Sequence, residues 1–117
     1  MEYETEEVVV REVKDVTIVR MKIDNLTGQG EIDRIRGEVD KLLEQGVRKL
    51  VLDFKYVRYV GSSALGMIIA LNQKVKETPG AALVLSHPEH IRELLRVSRA
   101  DKLFRIAADP REAIKLF

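Results

Sequence analysis

The sequence predicts an α/β fold of order β-β-α-β-α-β-α-β-α, a mixed and mostly parallel sheet with helices packed on it. Three observations carry this expectation. Two β-branched segments near the start are separated only by Lys14-Asp15, too close for anything but an antiparallel hairpin. Later runs of consecutive apolar residues read as strands covered on both faces. Between those runs the apolar residues recur at helical spacing. Strands and helices alternating after a hairpin imply parallel central strands and right-handed crossovers.

Val8 to Val13 and Val16 to Ile23 form the predicted hairpin. The polar, glycine-bearing segment Asn25-Leu26-Thr27-Gly28-Gln29-Gly30 reads as a loop. From Glu31 the period changes: Ile32, Ile35, Val39, Leu42 and Leu43 define one helix face, and Gly46 supplies its stop. Gly37 inside that helix weakens it by about 1 kcal/mol relative to alanine. Leu50-Val51-Leu52-Asp53-Phe54 is the first buried strand, and Tyr56 to Val60 continues in a β-like pattern. A second helix is expected from Ser63 to Lys76, closed by Pro79-Gly80, and Ala81 to Leu85 forms the next strand. Pro88 opens a third helix carrying Ile91, Leu94 and Leu95, and Leu103 to Ile106 reads as a short strand. Asp109-Pro110-Arg111-Glu112 combines an N-cap, a proline at the first helical position and an acid behind it, a strong helix start. Residues 1–117 are expected to make one domain, without repeats or linkers.

Composition narrows the function. With 20 basic and 19 acidic residues the net charge is +1, whereas nucleic-acid binders concentrate uncompensated Lys and Arg. Aromatics are scarce and tryptophan is absent, so a base-stacking platform is not expected. The chain has no cysteine, which excludes disulfides, thiolate metal sites and a cysteine nucleophile. The acidic start MEYETEE lacks an apolar signal core, and no apolar run approaches the roughly 20 residues that span a bilayer. The expected location is cytoplasmic.

Familiar catalytic patterns are missing. Gly28 and Gly30 lack the lysine of a phosphate-binding loop, and Gly61-Ser62-Ser63-Ala64 lacks the spacing of a nucleophile elbow. A metal site would have to use His87, His90 and Glu93, but nothing in the spacing makes them converge, and His87 reads as a cap or exposed residue. Asp53 ends a buried parallel strand, at the sheet edge where α/β proteins place their sites. It could accept a phosphoryl group as in a receiver domain. Such a domain needs an acidic pair after its first strand, and Arg11-Glu12-Val13-Lys14 does not supply one. The competing reading is a strand-end aspartate bonding loop amides. Ser62 or Ser63 starts a helix directly after a strand, so a plain N-cap accounts for one of them. A helix N-terminus also accommodates a phosphate through free N–H groups and a positive dipole end.

The stretch Leu50-Val51-Leu52-Asp53-Phe54, then Val57-Arg58-Tyr59-Val60-Gly61-Ser62-Ser63-Ala64-Leu65-Gly66-Met67-Ile68-Ile69, resembles the STAS domain family. In that family a strand ending "LDL" is followed by a helix start of the form Asp-Ser-Ser-Gly-Leu-Gly. Ser98-Arg99-Ala100-Asp101-Lys102-Leu103-Phe104-Arg105-Ile106 matches a second family pattern. The resemblance spans nearly the whole chain and implies a stand-alone anti-sigma factor antagonist working by partner switching. Such a protein is not an enzyme. Unphosphorylated, it binds an anti-sigma factor that is also a serine-protein kinase, and a serine phosphatase reverses the modification.

The family's phosphoacceptor corresponds to Ser62, and ATP would belong to the kinase, so no cofactor and no metal are expected in this chain. Gly61 and Ala64 depart from the family pattern, which has Asp and Gly there. The expected partner surface comprises Asp24, Asn25 and Thr27 together with Gly61, Ser63 and Ala64, with Asp24 as a polar contact. An Asp-Asn turn is the other reading of that loop. The family also includes constitutive adaptors of stressosomes and of lipid-transport complexes, for which no modification is needed.

Overall fold

The β2–β3 hairpin, strands Val8–Val13 and Val16–Met21, is closed by Lys14 and Asp15, both with positive φ (50° and 63°). Its register, Val13 against Val16, leaves a two-residue turn whose positive φ angles give it a twist that matches the right-handed twist of the strands. In the computed structural model, which describes residues 1–117, the predicted order is present with three additions.

The first addition is β1, Glu2–Glu4, an edge strand antiparallel to β2 in a stretch that composition alone marks as polar. Tyr3 anchors it: its hydroxyl donates to Glu38 Oε2 (2.8 Å) and Lys41 Nζ lies 5.3 Å from its ring centroid. Lys22 Nζ donates to Glu4 Oε2 at 2.6 Å. The other additions are two-residue strands, β4 (Asn25–Leu26) and β6 (Tyr59–Val60), which pair with each other in parallel. Asn25–Gly30 is therefore not wholly loop, and only the end of Tyr56–Val60 is strand.

The main sheet has the order β1-β2-β3-β5-β7-β8, with β5 at Lys49–Asp53, β7 at Ala82–Ser86 and β8 at Arg105–Ala107. β3, β5, β7 and β8 run parallel. Alternation along β5 shows why these strands are apolar on both sides. Leu50 and Leu52 enter a large core with helices α1 (Gln29–Glu44) and α2 (Ser62–Glu77), while Val51 enters a smaller cluster with Val16, Ile18, Val84 and Ala113 on the opposite face. That second face is covered by α4, Pro110–Ile114, capped as expected by Asp109, whose side chain accepts from Glu112 N at 2.9 Å.

Gly46 ends α1 at φ +98°, with Gly46 N donating to Leu43 O and Val47 N to Leu42 O, the double bond of a Schellman turn. The third helix differs from expectation. Pro88 opens only a turn, its carbonyl accepting from Ile91 N and Arg92 N, and α3 begins at Arg92 and runs to Val97. A 3-10 turn at Ala100–Lys102 follows, so the next strand starts at Arg105 and leaves Leu103 exposed.

Two measurements check this account. A methyl group added at Gly37 meets nothing within 4 Å, so Gly37→Ala should raise stability by about 0.5–1 kcal/mol in urea unfolding. The Tyr3 phenol, desolvated by burial and bonded to the Glu38 carboxylate, is pushed up from 10.0 to about 12. Its folded value lies above its unfolded one, so its contribution to stability is complete below pH 10 and disappears as pH rises through 12. The stability difference between wild type and Tyr3→Phe should therefore shrink across that interval. In the folded state, the ultraviolet difference titration between the two should show the Tyr3 phenolate near its upper end.

Candidate functional site

Two loops at the carboxyl edge of the sheet are joined by the β4–β6 ladder, with Asn25 opposite Tyr59 and Leu26 opposite Val60. Asp24 O accepts from Arg58 N (2.8 Å) and Tyr59 N (3.2 Å), and Leu26 O accepts from Gly61 N (3.1 Å). Leu26 and Val60 point into the core, while Asn25 and Tyr59 stay exposed. The predicted neighbours, Asp24 to Thr27 on one side and Gly61 to Ser63 on the other, are thus brought together by backbone pairing. Asp24, Asn25, Thr27, Ser62 and Ser63 are all exposed.

Gly61, at φ −79° and ψ 173°, is the residue that caps α2, and no side chain makes a capping bond. The expected serine cap is corrected here: Ser62 and Ser63 are already the first two residues of the helix, past the position from which a hydroxyl reaches the free amides. The first intrahelical bond is Leu65 N to Gly61 O, so the amides of Ser62, Ser63 and Ala64 have no intrahelical acceptor. Ala64 is also corrected. It is fully buried in the large core, so its methyl group cannot line a partner surface. Nothing in the backbone demands glycine at position 61, since its φ is ordinary and an added Cβ would sit 3.4 Å from Thr27 Cγ2 and 3.7 Å from Leu26 O.

Asp53 has a different role from either sequence reading. It is fully buried, Oδ2 accepting from Arg20 Nε at 2.6 Å, Oδ1 accepting from Ser86 Oγ at 3.0 Å and lying 2.6 Å from His87 Nδ1. Its partners are side chains of the two neighbouring strands and of His87, the residue after β7, rather than loop amides. A carboxylate with both oxygens bonded and no solvent access is not placed to accept a phosphoryl group, which removes the receiver-like alternative. His87, read as a cap or exposed residue, is instead half-buried, at φ +51°, with its ring turned to Asp53. His90 is exposed and Glu93 pairs with Arg96.

Sequence reasoning missed the exposed aromatic and basic groups of the same loop. Tyr56 and Tyr59 are about half exposed, the Arg20 guanidinium stands 5.8 Å from the Tyr56 ring centroid, and Arg58 Nε lies 3.8 Å from Asp24 Oδ1. The signal was available: Lys55-Tyr56-Val57-Arg58-Tyr59 is the one place where aromatics and cations alternate.

A mixed sheet opened by an antiparallel hairpin, with a two-strand ladder setting a serine-bearing helix start at its carboxyl edge, defines a class of small α/β modules. The chain belongs to the STAS domain family, whose family model matches residues 7–113. Among curated relatives, BtrV of Bordetella bronchiseptica, named as a candidate anti-sigma factor antagonist, is 21% identical over 91 residues, 78% of each chain. A crystal structure of a candidate anti-sigma factor antagonist from Thermotoga maritima superposes with a TM-score of 0.77 at 21% identity, covering 91% of this chain and 90% of that one. The anti-sigma factor antagonist SpoIIAA in its unphosphorylated form superposes with a TM-score of 0.70 at 17% identity, covering 92% and 94%. No helix is long and apolar enough to cross a membrane.

The two polar centres should respond differently to truncation. Asp53→Ala leaves Arg20, Ser86 and His87 facing an empty acceptor position and should lower stability by about 3 kcal/mol in urea unfolding. Ser62→Ala removes a hydroxyl that caps nothing and should change stability by less than about 0.5 kcal/mol.

Proposed function

We propose that this protein is a cytoplasmic, non-enzymatic anti-sigma factor antagonist that works by partner switching, with Ser62 as the phosphorylated residue. The observation that carries the reading is the state of Ser62: exposed, at the start of a 16-residue helix, and free of any capping duty. A phosphate of roughly −2 charge placed there meets free amides and the positive end of a helix dipole, so the domain tolerates it. The same charge arrives next to the Leu26–Thr27 end of the ladder, on the exposed face that also carries Asp24 and Asn25, where a partner surface complementary to the unmodified face would be repelled.

The kinship with proteins named as anti-sigma factor antagonists supports this reading, as does the existence of SpoIIAA structures in both unphosphorylated and phosphorylated forms. The partner is an anti-sigma factor that is also a serine kinase, which brings its own ATP, and a serine phosphatase resets the site. Asp24, Asn25, Thr27, Gly61 and Ser63 make up the contact surface.

The test is calorimetric titration with the cognate anti-sigma factor kinase before and after incubation with ATP. Wild type should lose at least about tenfold in affinity, or 1.4 kcal/mol, as phosphoserine appears at Ser62 by site-resolved mass spectrometry. Ser62→Ala should bind with unchanged affinity under both conditions, and Ser62→Asp should bind weakly throughout. Equal affinity of all three proteins would sink the switch and leave a constitutive adaptor.

A further inference from the structure

β8 is shorter than the strand it pairs with. Its register begins at Val84 opposite Arg105, so Ala82 and Leu83 of β7, paired with β5 on one side, extend past its start with no strand on the other. At this uncovered corner lies a groove of about 180 Å³, lined on its apolar side by Val75, Ala81, Leu83 and Leu103. Leu103 is one of only five large hydrophobic side chains left exposed. Its backbone is fixed by Asn72, a mostly buried side chain whose Nδ2 donates to Leu103 O at 2.9 Å.

The charges around the groove are all of one sign. Lys76 and Arg105 line it, both exposed, and no carboxylate does. Neither cation enters an ion pair. A short apolar slot, an unextended sheet edge and two unpaired cations together match one kind of occupant.

We infer that this corner docks an acidic, extended segment of a partner protein, which seats one apolar side chain in the groove. Its flanking carboxylates meet Lys76 and Arg105, and its backbone runs along the free edge of β7 in the manner of strand addition. The surface is independent of the proposed switch. Lys76 stands at the far end of α2 from Ser62, about 20 Å away along the helix, so both faces can be occupied at once.

The probe is the capped peptide Glu-Asp-Leu-Asp-Glu, titrated into the ¹⁵N-labelled full chain, with Glu-Asp-Ala-Asp-Glu as its control. Amide shifts should concentrate at Leu83, Leu103 and Arg105, and affinity should fall with added salt and drop at least tenfold for the alanine peptide. The double variant Lys76→Glu with Arg105→Glu, checked as folded by its spectrum, should also lose at least tenfold, whereas Ser62→Ala should lose nothing. Four results would overturn the inference: no binding at about 1 mM peptide, shifts mapping elsewhere, affinity indifferent to charge reversal, or groove shifts that follow only the protein's own concentration. Binding confined to phosphatidylglycerol vesicles, with no peptide response, would overturn it in favour of a lipid surface.

Discussion

Three strands of the sheet end on one carboxylate. Asp53 closes β5, Arg20 reaches it from β3, Ser86 from the last position of β7, and His87 from the residue after. An isolated charge removed from water would be very costly, and a guanidinium at 2.6 Å with two further hydrogen bonds is what makes this burial tolerable. The arrangement also fixes where the carboxyl-edge loops depart. The loop that carries β6 and leads to Ser62 leaves β5 at Asp53, and the turn leading to α3 leaves β7 through His87, at a positive φ that few non-glycine residues adopt.

On that base the β4–β6 ladder adds a second level of control. It is only two residues long on each side, yet its buried members, Leu26 and Val60, plug it into the core, and its backbone bonds hold the 24–27 loop against the 58–61 loop. Residues more than thirty apart in sequence thereby share one small exposed face, held mainly by backbone bonds and buried side chains, with the exposed Arg58–Asp24 pair as the one ion pair across it. Support and contact are assigned to alternate residues of the same short strands.

How much of this was legible in the sequence depends on the range of the interaction. Asp109-Pro110-Arg111-Glu112 was readable because a cap acts within one turn, and the structure places the Asp109 carboxylate on the Glu112 amide. The apolar runs of β5 and β7 were readable because burial on both faces leaves a local trace. β1 was not, since Glu-Tyr-Glu is held by partners on β2, on α1 and at Lys22, just past β3, that no local pattern announces. The aspartate at 53 drew notice as a strand-end acid, but Arg20 and His87 lie about thirty residues to either side, and only the parallel register joins them. The serines show the opposite error. A strand-to-helix junction with two hydroxyls suggests a side-chain cap, and the helix instead starts one residue earlier, from Gly61, with no side chain capping it.

That idle hydroxyl has a thermodynamic corollary. A hydroxyl that caps nothing can be modified without breaking any bond that holds the chain folded, so the fold sets no penalty of its own against the change. Reciprocity then binds the two events: a partner whose grip is loosened by a given factor when Ser62 is altered must, while bound, oppose the alteration by that same factor. The bonds that hold the fold and the hydroxyl left open to change lie in that sense on different atoms.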